Sequence, residues 1–193
     1  MSLPLVLASS SIYRRELLQR LRIPFHTEAA DIDESRAPGE QTRLLVARLA
    51  REKALKVAER HPGALVIGAD QLAVREDEIL GKPGTAARNI AQLQRASGGP
   101  LTFLTAVCLL QSHPQRREEH VDETVVHFRQ LSKEEISRYV ELERPYDCAG
   151  GFKCEGLGIA LFDRIESNDP TALVGLPLIW LSAALRRAGV NLP

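Results

Sequence analysis

The sequence predicts an α/β protein with a mixed central sheet flanked by helices. Three observations predict it. Short apolar runs alternate with amphipathic helical stretches from the first residues onward. Two consecutive strand-like runs, Leu101 to Leu110 and Val121 to Phe128, are joined by a short polar segment, so at least one pair is an antiparallel hairpin. No internal repeat or low-complexity linker interrupts the alternation.

Leu3 to Ala8 is an apolar run suited to a buried strand. Ser9-Ser10-Ser11 then opens a helix with Leu17, Leu18 and Leu21 on one side, ended by Ile23-Pro24. Phe25 to Glu28 reads as a second strand, and Asp31 to Glu40, acidic and carrying Pro38-Gly39, as a loop. Gln41 to Arg60 is rich in Ala, Leu and Val and predicts a long helix, closed by His61-Pro62-Gly63. Leu65 to Ala69 is a strand ending at Asp70-Gln71, with Leu72 to Val74 as its continuation. Gly81 to Gly84 is a loop, Thr85 to Ala96 a helix, and Gly98-Gly99-Pro100 a break before the hairpin, whose polar turn spans Ser112 to Glu119. After Leu131, Ser132 is an N-cap and Glu134-Glu135 an acidic first turn, for a helix to about Glu143. Glycine-rich loops and short strands lead to a closing helix near Leu176 to Ala188.

At 193 residues the chain suffices for one domain or two small lobes. Lys and Arg together number 25, as do Asp and Glu, so no net basic field draws it to nucleic acid or an anionic membrane. Any phosphate site must be a local cluster. Aromatic residues at 5% with one Trp argue against a base-stacking platform. Cys108, Cys148 and Cys154 form no C-x-x-C pair and are expected as reduced thiols in a reducing cytosol. No run is long enough to span a membrane, and the start lacks a basic n-region, so a cytoplasmic protein is expected. The five histidines have no metal-ligand spacing, and Walker A, G-x-G-x-x-G and G-x-S-x-G motifs are absent.

Three constellations remain. In Ala8-Ser9-Ser10-Ser11-Ile12-Tyr13-Arg14-Arg15 a strand ends in hydroxyls and opens a helix, a place for an anion or simply an N-cap. Helical projection sets Arg14 among Leu17, Leu18 and Leu21, and Arg15 on the polar flank. A cation facing inward at a helix start opposes the dipole and calls for an anion, phosphate being the obvious one. The second is acidic. Asp70 ends a buried strand, where α/β proteins bind ligands, and can hold a metal, activate water or cap a turn. Asp31-Ile32-Asp33-Glu34 supplies further hard oxygen donors of the kind Mg²⁺ takes, or a solvated acidic loop. The third is a lysine pair. Lys53 projects between Leu49 and Val46/Val57, away from Arg48, Glu52 and Glu59, and needs a carboxylate or a phosphate as partner. Lys82, between Gly81 and Pro83, sits in a rigid turn.

These residues carry a resemblance. The segments Leu7 to Leu18, Asp33-Glu34, Ala47 to Ala54, Gly68-Ala69-Asp70-Gln71, Gly81-Lys82-Pro83, Cys148-Ala149-Gly150, Lys153-Cys154-Glu155-Gly156 and Val174-Gly175-Leu176-Pro177-Leu178, in that order, resemble the Maf-like nucleotide pyrophosphatases. Ile12 stands where that family usually has proline, which only pre-sets the first helical turn. The resemblance implies an elongated fold of two lobes around one cleft, over residues 1–193. It also implies hydrolysis of a nucleoside triphosphate between the α and β phosphates, with a divalent cation, Mg²⁺ or alternatively Mn²⁺. It assigns Asp70 to catalysis, Ser9, Arg14, Lys53 and Lys82 to phosphate binding, Asp70 and Glu34 to the metal, and Tyr13, Gln71 and Glu155 to the base. A homodimer is its further implication. The base positions are similar to those of the subgroup acting on 7-methylguanosine triphosphate. An aromatic face attracts the cationic methylated base, and a carboxylate accepts both donors of the guanine edge. A dTTP/UTP or broad nucleotide pyrophosphatase, and a non-catalytic nucleotide-binding regulator of septum formation, are the alternatives.

Overall fold

The computed structural model describes residues 3–76, 78–113 and 115–193. Met1, Ser2, Asp77 and Pro114 lie outside the described residues, Met1 and Ser2 within the start read against a signal peptide and Pro114 within the expected 112–119 turn. The strands are β1 (Leu5–Ala8), β2 (His26–Thr27), β3 (Leu65–Arg75), β4 (Glu78–Leu80), β5 (Pro100–Gln111), β6 (Arg116–Phe128) and β7 (Phe162–Ser167). The helices are α1 (Ile12–Gln19), α2 (Thr42–Ala58), α3 (Ala86–Ala96), α4 (Lys133–Glu143) and α5 (Leu178–Arg187). Strand order is β2-β1-β3-β5-β6-β7, with β4 paired to β3. The sheet is mixed, as expected: β1 is parallel to β2 and β3, whereas β3–β4 and β6–β7 are antiparallel.

Several boundaries differ from the sequence reading, each for a local reason. β2 shrinks to two residues, both exposed, while Phe25 just before it packs on the core of the first unit. β3 runs unbroken through Asp70 to Arg75. β6 starts at Arg116, inside the expected turn, since the charges of 116–119 pair with one another and with Arg187 and so tolerate a solvated strand face. β4, three residues long, gives no periodicity to read.

The chain divides into two compact units, with boundaries inside β3 (Asp70/Gln71), β5 (Leu104/Thr105) and β6 (Asp122/Glu123), and at Asn168/Asp169. In the first unit, Leu5, Leu7, Leu65, Ile67 and Ala69 form a core with Leu17 and Leu18 of α1 and Leu181, Ala184 and Leu185 of α5. Side chains alternate along a strand, so Val66, Gly68 and Asp70 face the other way. That second face meets α2: a Cβ at Gly68 would lie 2.0 Å from the Ala50 carbonyl and 2.7 Å from the Ala54 nitrogen. Only glycine lets the helix backbone approach so closely, and this contact brings Lys53 level with Asp70.

In the second unit, Phe103, Phe128, Phe152 and Phe162 pack edge to face, with centroid separations of 4.8 to 5.6 Å. Helices α3 and α4 pack together beside them. Ser132 and Glu135 form a reciprocal capping box at the start of α4, as the N-cap and acidic first turn predict. Among the described residues no helix is long and apolar enough to cross a membrane.

One buried acid stands outside any expected role. Asp122, at the end of the first-unit part of β6, is 5% exposed, and its Oδ1 has no hydrogen-bond partner. Burial pushes its carboxyl up; His120 opposes this, and the charge of Asp169 adds to it. A carboxyl raised in the folded state leaves stability intact below its unfolded value of roughly 4 and erodes it as pH rises from there through the folded value. Asp122→Asn is therefore expected to stabilise the protein by about 1 kcal/mol at pH 7–8 and to lose that gain near pH 4, read from melting curves across pH. A gain independent of pH would assign the effect to packing instead.

Candidate functional site

The first unit gathers most of the residues singled out from the sequence. Ser9 follows β1 and is 7% exposed. Its Oγ accepts the Ser11 N–H at 3.1 Å and faces Arg14 Nη1 at 3.5 Å. Both contacts use the oxygen as acceptor, which leaves its own proton to donate. Ser11 caps α1 by accepting the Arg14 N–H, so the capping and anion-site readings of this segment coexist. Arg14 is half-buried and Arg15 exposed, as the helical projection predicts. The Arg14 Nε donates to the Gly175 carbonyl at 3.0 Å. Burial pushes its guanidinium below the ordinary arginine value, and the carboxylates of Asp70 and Glu34 pull it back. Tyr13, the next residue towards the helix start, is half-buried.

Lys53 is 8% exposed and meets two carboxylates. Its Nζ lies 2.6 Å from Asp70 Oδ1 and 2.6 Å from Glu34 Oε1. Of the two partner types its inward position demands, the chain itself supplies carboxylates. Asp70 is itself 7% exposed, whereas the Glu34 side chain is 60% exposed, so one acid is delivered by the sheet and the other reaches in from the loop. The loop is tied down from α2: Arg48 donates to the Ser35 carbonyl at 2.8 Å and to Glu40 at 2.8 Å. That pairing holds the Glu40 carboxyl down to about 2. Asp33 turns back to accept the Ser35 N–H at 2.9 Å, which lowers its carboxyl too.

This donor set suits a hard divalent cation. Mg²⁺ is commonly held by one or two protein carboxylates, with phosphate oxygens and water completing its shell, and Asp70 and Glu34 already converge on one cationic centre. Among the described residues no group of three or more His, Cys, Asp or Glu is placed to hold a metal.

The second unit carries Gln71, Lys82 and Glu155. Gln71, half-buried, continues β3. Lys82 is exposed in a turn fixed by Gln92, which donates to the Gly81 carbonyl at 2.9 Å, and by the Gly84 N–H on the Tyr146 carbonyl at 2.9 Å. The Glu155 segment is irregular but clamped at both ends. The Lys153 N–H donates to the Tyr139 hydroxyl at 3.1 Å, and the Leu157 N–H to Glu143 at 2.8 Å. Glu155 itself is exposed, and burial together with its negative charge pushes the neighbouring Cys154 thiol up to about 12.

Sequence reasoning passed over Asp169 and Thr171, both beside the contact that holds Arg14. The signal was present: Asp-x-Thr ahead of a helix is a side-chain-to-backbone turn pattern. Gly175 was noticed only as part of a motif.

The chain is 54% identical over 189 residues to the 7-methyl-GTP pyrophosphatase of Pseudomonas aeruginosa, covering 98% of each. It is 54% identical over 183 residues to that of Ralstonia nicotianae, covering 95% of this chain and 94% of the relative. It is 55% identical over 190 residues to that of Aromatoleum aromaticum, covering 98% and 97%. Among solved structures, a HAM1 protein from Coxiella burnetii superimposes with a TM-score of 0.52 at 16% identity, covering 96% of this chain and 100% of that one, a likeness of fold alone. The family model for Maf-like proteins matches residues 4–188, over the same segments that carry the Ser9, Arg14, Glu34, Lys53 and Asp70 cluster, and the chain belongs to that family.

Proposed function

We propose that the protein hydrolyses 7-methyl-GTP between its α and β phosphates, giving 7-methyl-GMP and pyrophosphate. The observation that carries this reading is the meeting of Asp70 and Glu34 on the Lys53 ammonium, in the unit that also holds Arg14 and Ser9. The relatives' activity supports the choice of nucleotide.

In this mechanism Asp70 orients a water and takes its proton as the water oxygen attacks the α-phosphorus. The bond from the α-phosphorus to the bridging oxygen breaks, and the electron pair leaves with pyrophosphate. Arg14, with its fixed Nε contact, presents its remaining N–H groups to phosphate oxygens, and the Ser9 hydroxyl donates a further hydrogen bond. Lys53 cancels the repulsion between the two carboxylates and shifts part of its charge to phosphate when substrate arrives. Asp70 and Glu34 would hold the divalent cation, which supplies Lewis-acid neutralisation of the triphosphate when bound. Lys82 is assigned to phosphate, and Tyr13, Gln71 and Glu155 to the base.

Base choice rests on two physical differences. Methylation at N7 makes guanine cationic, so an aromatic face gains about 0.5–2 kcal/mol over the unmethylated base. The guanine edge offers two adjacent donors to a carboxylate, where uracil and thymine offer carbonyl oxygens. Pyrophosphate release with Mg²⁺ from 7-methyl-GTP, GTP, UTP and dTTP tests both. The expected order puts 7-methyl-GTP first, with Glu155→Gln narrowing its lead over UTP by about tenfold. Equal parent rates on 7-methyl-GTP and UTP overturn the base assignment, and binding without pyrophosphate release from any of the four overturns the hydrolysis.

A further inference from the structure

The side chain of Arg14 is held by a main-chain oxygen, and that oxygen belongs to a short turn that other residues hold in shape. Gly175 has φ +124°, a conformation that L side chains rarely adopt, and a Cβ there would lie 3.4 Å from Arg14 Nε and 3.5 Å from its Cγ. On the upstream side, the Gly175 N–H donates to the Ala172 carbonyl at 2.9 Å, and the same carbonyl accepts the buried Thr105 hydroxyl at 3.0 Å. On the downstream side, the Thr171 hydroxyl reaches across the turn. It accepts the Leu178 N–H at 2.8 Å and lies 2.9 Å from the Leu176 carbonyl.

Thr171 is set in turn by Asp169, a residue only 3% exposed. Asp169 Oδ1 accepts the Thr171 N–H at 2.9 Å and stands 2.6 Å from its hydroxyl, while Oδ2 accepts the Ile179 N–H at 2.7 Å. One carboxylate thus joins the start of the turn to the first turn of α5. The Asp169 and Thr171 side chains tie Thr171, upstream of Gly175, to Leu176, Leu178 and Ile179 downstream, so the Gly175 carbonyl within this loop has little freedom to rotate away from Arg14.

We propose that Asp169 and Thr171 are positioning residues for Arg14, acting through the Gly175 carbonyl to aim the guanidinium. Neither touches the phosphate; they set the direction of the group that does. The functional half of this statement rests on the pyrophosphatase reading, whereas the structural half does not.

The test separates the two. Thr171→Val keeps the shape of the side chain and removes the hydroxyl; Thr171→Ser restores it. The first readout is hydrogen exchange at the Arg14 Nε–H, observed by arginine-selective ¹⁵N NMR and assigned by the resonance lost in Arg14→Lys. Exchange is expected to quicken by about tenfold in the Val variant, which also melts lower because the Leu178 N–H loses its acceptor, and to return to the parent rate in the Ser variant, which melts close to the parent. The second readout is 7-methyl-GTP hydrolysis, where the Val variant is expected to lose about tenfold in kcat/KM, mostly in kcat, with recovery in the Ser variant. Unchanged Arg14 exchange in the Val variant overturns the proposal, as does a Ser variant that behaves like Val. If the parent protein releases no pyrophosphate, the pyrophosphatase reading fails and the exchange measurement alone decides the positioning role.

Discussion

Asp70→Asn is expected to lower turnover of 7-methyl-GTP by about 10³-fold while leaving KM within about threefold of the parent value. The reason lies in what each oxygen does. Oδ1 is engaged by Lys53 at 2.6 Å, and the amide can still turn its oxygen to that ammonium, so geometry survives. Proton acceptance does not survive, because an amide is a far weaker base than a carboxylate. Folding is expected to persist, since Glu34 remains on Lys53 and the buried ammonium keeps an anionic partner. Steady-state kinetics on the variant, with its melting curve as control, make the comparison. A rate within about tenfold of the parent would remove Asp70 from the water-activating role.

The second large effect concerns stability. Gly68→Ala is expected to cost more than about 3 kcal/mol, seen as a fall of about 1–2 M in the urea midpoint. The added methyl would fall 2.0 Å from the Ala50 carbonyl oxygen and 2.9 Å from the Ala54 Cβ. The first of these neighbours is backbone, so no rotamer change relieves the clash. Helix α2 must move off the sheet and take Lys53 with it, so the folded fraction that remains should also lose activity. A variant within about 1 kcal/mol of the parent would mean that the helix backs away at little cost and that the close approach is not what sets Lys53 on Asp70.

Much of this was legible from residue order. Lys53 was readable as inward because helical projection places it with Val46, Leu49 and Val57, all of which are buried. Asp70 was readable because a strand of uniformly apolar residues stops at a single acid. Arg14 was separable from Arg15 by the same projection. The partner of Lys53 was not readable: a lysine on a buried face calls for an anion, and periodicity cannot choose between a carboxylate and a phosphate. Glu34 stood in an acidic run with no period, and its selection over Asp31 or Asp33 depends on loop anchoring by Arg48, a contact between residues thirteen apart. Asp122 could have been caught. It shares the strand parity of Val126 and Phe128, which are buried, and an acid on the apolar parity is a contradiction worth noticing. Glu155 lies in an irregular stretch held by Tyr139 and Glu143, where only a motif marks it.

The contact that steadies Arg14 has a consequence for any mutational survey of this protein. A peptide oxygen is common to all twenty residue types, so no exchange of side chain at position 175 deletes the acceptor. Alanine scanning would register that position as intolerant of bulk and would miss that it holds a guanidinium. The arginine's orientation is written in the main chain, out of reach of side-chain chemistry, and it becomes visible only when the segment's curvature is altered from a neighbouring position.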